Sequence, residues 1–225
     1  MLGALLGAIR GHPDLLAIAD RIRSGVREQL VTGLAGSTRA IVWSALQEAL
    51  GRPLVILSSN NYQAQKNYED IVEIVGEDGV VFYPGEELVA FVEERPSAEL
   101  AARLEALYAL LFRRPRFLVT GYAGLMRPLP PPAVFRAHTL ELQPGDERTP
   151  EDVVRVLVRA GYRREAEAFV PGTVAVRGGI VDVYPIAGGA PVRLERGFDA
   201  LESIRAYDPE DGRSREALPA VRLLP

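Results

Sequence analysis

The 225-residue chain carries 26 basic and 30 acidic side chains, a net charge of −4, and is 48% hydrophobic. That is globular composition, long enough for one large or two modest domains, and its negative balance argues against a surface built to coat nucleic acid. There is no cysteine, which excludes disulfides and thiolate metal sites, and His12 and His138 have no ligand-like spacing around them, so no metal site is expected.

The apolar start, Met1 to Ile9, has no basic stretch before it and no small-residue cleavage pattern after it. It does not read as a signal peptide. No apolar run approaches the roughly 20 residues that span a bilayer. The expectation is a cytoplasmic protein with no membrane partner.

Residues 1–26 read as helical, with a break at Gly11-His12-Pro13. Gln29 to Thr32 is short, apolar and strand-like. Arg39 to Leu50 is a helix pattern, and Pro53 to Ser58 is a continuous apolar strand run. Asn61 to Val75 reads as a helix, Gly79 to Tyr83 as a strand, and Ser97 to Phe112 as a helix with Ser97 as candidate N-cap. Glu93-Glu94-Arg95 reads as a solvated charged turn. Arg116 to Thr120 is a strand, followed by a short helix to Met126. Strands alternating with helices predict a parallel sheet covered on both faces, and unbroken apolar runs predict strands buried on both sides.

Pro128-Leu129-Pro130-Pro131-Pro132 interrupts this pattern, because clustered prolines continue neither a helix nor a central strand. The expected division is therefore an α/β domain over 1–131 and a small α+β domain over 132–225. In the second, His138 to Leu142 is strand-like, and Thr149 to Ala160 is a helix with Thr149 as N-cap, Pro150 at its first position and Gly161 just past its end. Short strands follow at 163–169, 174–177, 179–184, 192–195 and 203–207. Turns at Pro171-Gly172, Gly188-Gly189 and 208–212 separate them, which predicts an antiparallel sheet.

Gly33-Leu34-Ala35-Gly36-Ser37-Thr38-Arg39-Ala40 has the outline of a phosphate loop, G-x-x-x-x-G-K-[ST], with its working parts replaced. Gly33 keeps the first glycine, and Gly36 lies within the loop. Thr38 stands at the second glycine position, and its branched side chain resists the positive φ that close approach to phosphate requires. Arg39 stands for the lysine, charged but longer and planar. Ala40 stands for the hydroxyl residue that would hold Mg²⁺ and has no oxygen to offer. The alternative is an ordinary strand-to-helix turn rich in Gly, Ser and Thr.

Other motifs follow in order: Ser58 to Lys66, Phe82-Tyr83-Pro84-Gly85-Glu86-Glu87 and Thr120 to Met126. In the second half come Val176-Arg177-Gly178-Gly179-Ile180-Val181-Asp182-Val183-Tyr184-Pro185, Pro191 to Glu195, and Leu201 to Asp208. Together these resemble the N-terminal module of the bacterial transcription-repair coupling factors, which in turn resembles the first two domains of the excinuclease B subunit. The resemblance runs from about residue 27 to the end, and R-G-G-I-V-D-V-Y-P is its most specific part.

The resemblance implies a helicase-like α/β domain with a degenerate nucleotide loop, followed by a small domain that docks on the excinuclease A subunit. It implies that this stretch has no catalytic residues and holds no cofactor. ATP and Mg²⁺ would belong to motor domains downstream, as would contacts to RNA polymerase and DNA. Arg177 and Arg193 match arginines expected to contact excinuclease A, though read from the residues alone they are equally ordinary exposed strand arginines. An aromatic anchor of the family falls where Arg196-Gly197-Phe198 stands, which leaves Phe198 to serve from one position later.

Asp182 reads as a hydrogen-bonded structural acid, and Trp43 as a core residue. Tyr62, Gln63 and Gln65 would contact DNA or nucleotide in a working helicase; here they read as first-turn and packing residues. Two further functions stay open. One is a nucleotide-dependent DNA-remodelling domain like excinuclease B, working through Arg39. The other is direct DNA binding by arginines, which the net charge weakens.

Overall fold

A computed structural model describes residues 2–85 and 98–225. The Ser97 cap and the Glu93-Glu94-Arg95 turn lie outside the described residues. The chain divides into two compact units, Met1–Glu87 with Ala109–Pro128, and Leu88–Tyr108 with Leu129–Pro225.

The first unit opens with helices α1 (Leu2–Arg10) and α2 (Pro13–Arg23). Pro13 sits at the first helical position, where its missing N–H costs nothing. Helix α3 (Thr38–Leu50) packs beside them, tied by an Arg10–Glu48 ion pair at 2.9 Å. Strands β1 (Leu54–Ser58), β2 (Val80–Tyr83) and β3 (Phe117–Gly121) form a parallel sheet in the order β1-β3-β2. Helix α4 (Asn61–Val75) connects β1 to β2, and Asn60 caps it by accepting the Gln63 N–H at 2.8 Å. Phe117, Val119, Ile71, Ala64 and Ala40 form the core, with Trp43 packed against it.

Two expectations fail in this unit. Residues 29–32 form no strand: Leu30 and Val31 are exposed, and no described strand pairs with them. Two apolar residues are too short a signal when no ladder partner is available. The sheet is also not covered throughout. Val55 and Leu57 of β1 are exposed, so this apolar run alternates in burial instead of being enclosed on both sides.

In the second unit, helix α5 (Ala98–Phe112) contributes its residues up to Tyr108. Helix α6 (Pro132–His138) starts directly on the proline cluster, which is read in sequence only as an interruption; Pro132 is its first-turn proline. Strand β4 (Leu140–Leu142) pairs antiparallel with β11 (Val221–Leu223). Helix α7 (Pro150–Arg159) starts as expected, with the Thr149 hydroxyl accepting the Asp152 N–H at 3.2 Å.

A six-stranded sheet follows, in the order β10-β9-β8-β7-β6-β5. Its strands are β5 (Arg163–Arg164), β6 (Thr173–Arg177), β7 (Ile180–Tyr184), β8 (Val192–Arg196), β9 (Leu201–Tyr207) and β10 (Ser214–Ala217). All neighbours are antiparallel except β5 and β6, which run parallel. The expected strand 163–169 shrinks to two residues. One face of the sheet, including Val174, Val181, Val183, Leu194 and Ile204, closes the core with Leu157 of α7. The other face presents Arg177, Ile180, Asp182, Arg193 and Glu195.

Candidate partner-binding face

Strand register builds the centre of that outer face. Asp182 on β7 stands opposite Ala175 of β6 on one side and opposite Arg193 of β8 on the other. The Arg193 guanidinium donates from Nε to Asp182 Oδ1 at 2.7 Å and from Nη2 to Oδ2 at 2.9 Å. This is the two-point fork that arginine's planar geometry allows. Nη1 of Arg193 donates to the Gly212 carbonyl and to Ser214 Oγ, both at 3.2 Å, and the guanidinium lies 5.3 Å from the centre of the Tyr207 ring. Asp182 raises the pKa of Arg193, holding the guanidinium charged.

Arg177 reaches the same carboxylate from two residues along β6, with Nη2 donating to Asp182 Oδ2 at 2.9 Å. The Asp182 side chain is 3% exposed, Arg193 15% and Arg177 54%. One buried acid therefore fixes two arginines, one enclosed and one largely in solvent. Asp182 is the hydrogen-bonded acid that its place in the strand implied. What pattern alone could not show is that its partners are the two candidate arginines.

Phe198 sits in the loop between β8 and β9 and is 96% exposed. Arg196 secures this loop by donating to four carbonyls: Phe198 at 3.0 Å, Asp199 at 2.8 Å, Glu147 at 3.2 Å and Arg148 at 3.3 Å. The Gly178-Gly179 turn, where Gly178 takes φ +60°, lies at the same end of the sheet, because Arg196 N–H donates to the Gly179 carbonyl at 2.9 Å. Arg177 and Phe198 thus flank neighbouring hairpin tips. Beside Arg177, an open groove is walled by Phe169, Ile180, Arg193, Glu210 and Asp211. Phe169 is an exposed aromatic that sequence reading placed inside a strand and so missed.

The loop residues are elsewhere, in the first unit. Gly33 and Gly36 adopt positive φ, +84° and +52°. Two N–H groups at the end of the loop are engaged within the turn: Thr38 donates to the Ala35 carbonyl at 3.2 Å and Arg39 to the Gly36 carbonyl at 3.4 Å. Ser37 Oγ donates to Asp70 Oδ1 at 3.1 Å, which places a carboxylate beside the loop. The Arg39 guanidinium lies 5.9 Å from the centre of the Trp43 ring, and Ala40 is buried in the core. Along α4, Gln63 bonds Asn67 and Gln65 bonds Glu69, while Lys66 lies over the exposed Tyr62 ring.

Residues 140–225 match the family model of the UvrB interaction domain. Over 218 residues the chain is 33% identical to the transcription-repair-coupling factor of Bacillus subtilis (strain 168), which takes in 96% of this chain and 18% of that protein. The chain is a relative of the transcription-repair-coupling factors. The Myxococcus xanthus factor is 34% identical over 228 residues, 97% of this chain and 19% of that protein. The Staphylococcus haemolyticus (strain JCSC1435) factor is 30% identical over 200 residues, 88% of this chain and 17% of that protein. The chain thus spans less than a fifth of the length of these relatives. The family resemblance carried by the sequence motifs is the correct one, and the matched domain contains Arg177, Asp182, Arg193 and Phe198. Among the described residues, no helix is long and apolar enough to cross a membrane.

Proposed function

We propose that residues 132–225 are a docking module for the excinuclease A subunit, within a transcription-repair coupling factor that acts in nucleotide excision repair in the cytoplasm. The contact surface is the outer face of β6 to β9. Arg177 supplies an exposed guanidinium for a partner carboxylate, Arg193 sets the position of the carboxylate that orients Arg177, and Phe198 adds an aromatic surface at the hairpin tip. The observation that carries this reading is the convergence of Arg177 and Arg193 on Asp182. A side chain held in place before contact loses less freedom on binding, and arginines and aromatics dominate interface energetics.

Residues 1–131 serve, in this reading, as a helicase-like scaffold without a nucleotide socket. The engaged N–H groups of Thr38 and Arg39, the Asp70 carboxylate beside Ser37 and the oxygen-free Ala40 all support it. The chain itself turns over no nucleotide. ATP-driven movement on DNA and contact with stalled RNA polymerase belong to other parts of the full-length factor. The test is capture of purified excinuclease A by this chain, with and without Arg177→Ala. Capture is expected for the native chain and strongly reduced for the variant; equal capture by both would overturn the assignment.

A further inference from the structure

Strand β5 covers only part of its neighbour. It pairs with β6 at Arg163↔Thr173 and Arg164↔Val174, and its last backbone bond runs from the Glu165 N–H to the Val174 carbonyl at 2.9 Å. Backbone groups alternate sides along a strand. The Gly172 and Val174 carbonyls both accept bonds from this side. Val176, two residues on, therefore turns its N–H and carbonyl the same way, where no described strand continues. The hairpin agrees with this phase, because a two-residue turn at Gly178-Gly179 closes on Arg177↔Ile180 as its hydrogen-bonded pair.

A groove runs between this open edge and α7. Val154, Val158 and Val176 give it an apolar lining, and Arg155, Arg159 and Arg164 stand around it with Glu151. Val158 is exposed although apolar. Arg155 is held by Asp152 at 2.7 Å, whereas Arg159 and Arg164 have no ion pair among the described residues.

We propose that this edge docks an extended acidic peptide segment of a partner protein. Only an extended chain can use the free N–H and carbonyl of Val176, the mode by which sheet edges take up an added strand. The alternation of such a strand sends an apolar side chain into the Val158–Val176 groove. The two unpaired guanidinium groups select carboxylates over cationic side chains. The surface is separate from the Arg177–Arg193 face, and the proposal does not depend on the role given to that face.

The test uses a fluorescein-labelled nonapeptide of alternating glutamate and valine, titrated into the 225-residue chain and followed by anisotropy. Saturable binding is expected, with slowed hydrogen exchange at the Val176 amide. The double variant Arg159→Glu, Arg164→Glu should weaken it by about tenfold or more. The proposal is overturned by any of three results: no saturable binding, equal binding of a lysine–valine peptide, or native affinity in the double variant with an unaltered Val176 amide. Displacement of the peptide by an oligothymidine strand with the same arginine dependence would assign the rim to nucleic acid and overturn the peptide reading.

Discussion

Arg193 and Asp182 face each other across β7 and β8 and are joined at two points, 2.7 Å and 2.9 Å, with the carboxylate almost wholly enclosed. Removing one partner of such a pair leaves a buried charge, and that loss typically costs about 3–5 kcal/mol. Arg177 still reaches the carboxylate, so Arg193→Ala is expected to cost somewhat less, about 2–4 kcal/mol. Urea denaturation checks this. Unchanged stability would mean that the pair does not hold β7 to β8.

Arg177→Ala separates binding from folding. Its own side chain is largely in solvent, but the carboxylate that it bonds is enclosed and keeps Arg193 as its second partner. The variant should therefore cost about 1 kcal/mol, less than Arg193→Ala. Its affinity for excinuclease A should nevertheless fall by about thirtyfold, the size of a hot-spot loss near 2 kcal/mol. Calorimetric binding measurements on both arginine variants distinguish the roles. If Arg177→Ala lost as much stability as Arg193→Ala, the orienting geometry would be misassigned.

The contrast explains what sequence could reveal. Helix α7 is legible because caps and periodicity agree, with Thr149 before it and Gly161 after it, while α4 is legible from its pattern and its Asn60 cap emerges in the fold. Strand β10 carries Arg215 and Glu216 with little apolar signal, and β11 is only three residues long, so neither stands out. Leu30-Val31-Thr32 errs the other way, with strand-like residues but no ladder to join. At the candidate face, Arg177 and Arg193 stand out in the sequence only through the family resemblance, and their geometry is not legible there. That Arg177 and Arg193 share Asp182 follows from the register of β6, β7 and β8, a long-range property that single-strand patterns do not encode.

Phe198 gives a second test of the docking face. Its side chain is almost fully exposed, so Phe198→Ala should leave stability within about 0.5 kcal/mol. Arg196→Ala removes four bonds to loop carbonyls and should loosen the segment that presents Phe198. Both variants are expected to weaken excinuclease A binding by about tenfold or more. Faster exchange of the 197–200 amides should appear only in Arg196→Ala. Native affinity in Phe198→Ala would remove this residue from the interface.

The loop at residues 33–40 predicts silence toward nucleotide. Titration with Mg·ATP should give no saturable heat, since the Thr38 and Arg39 N–H groups bond within the turn and Asp70 adds negative charge beside Ser37. Restoring the missing side chains with Arg39→Lys and Ala40→Ser should not create binding, because the Thr38 and Arg39 N–H groups stay bonded within the turn and Asp70 stays beside it. Micromolar affinity in the native chain, abolished by Arg39→Ala, would instead favour the nucleotide-dependent remodelling function.

Tyr162 predicts how the second unit responds to alkali. Its buried hydroxyl donates to the Leu224 carbonyl at 3.0 Å and accepts the Ile186 N–H at 3.3 Å, and burial pushes its pKa up to about 12. Burial also raises the pKa of Tyr207, whose hydroxyl donates to the Ala168 carbonyl. A folded-state pKa above the unfolded value of about 10 means that the proton is held more tightly in the folded chain. The associated stability is fully present below pH ~10 and is lost as pH rises toward about 12. For Tyr162 this amounts to roughly 2–3 kcal/mol across that window. Tyr162→Phe should cost about 1 kcal/mol near neutrality, through the carbonyl left without its donor. The same variant should flatten the decline between pH 10 and 12, because it removes the group that ionises there. Urea midpoints measured from pH 8 to 12 check both effects, and an equally steep decline in Tyr162→Phe would assign the alkaline sensitivity to other groups.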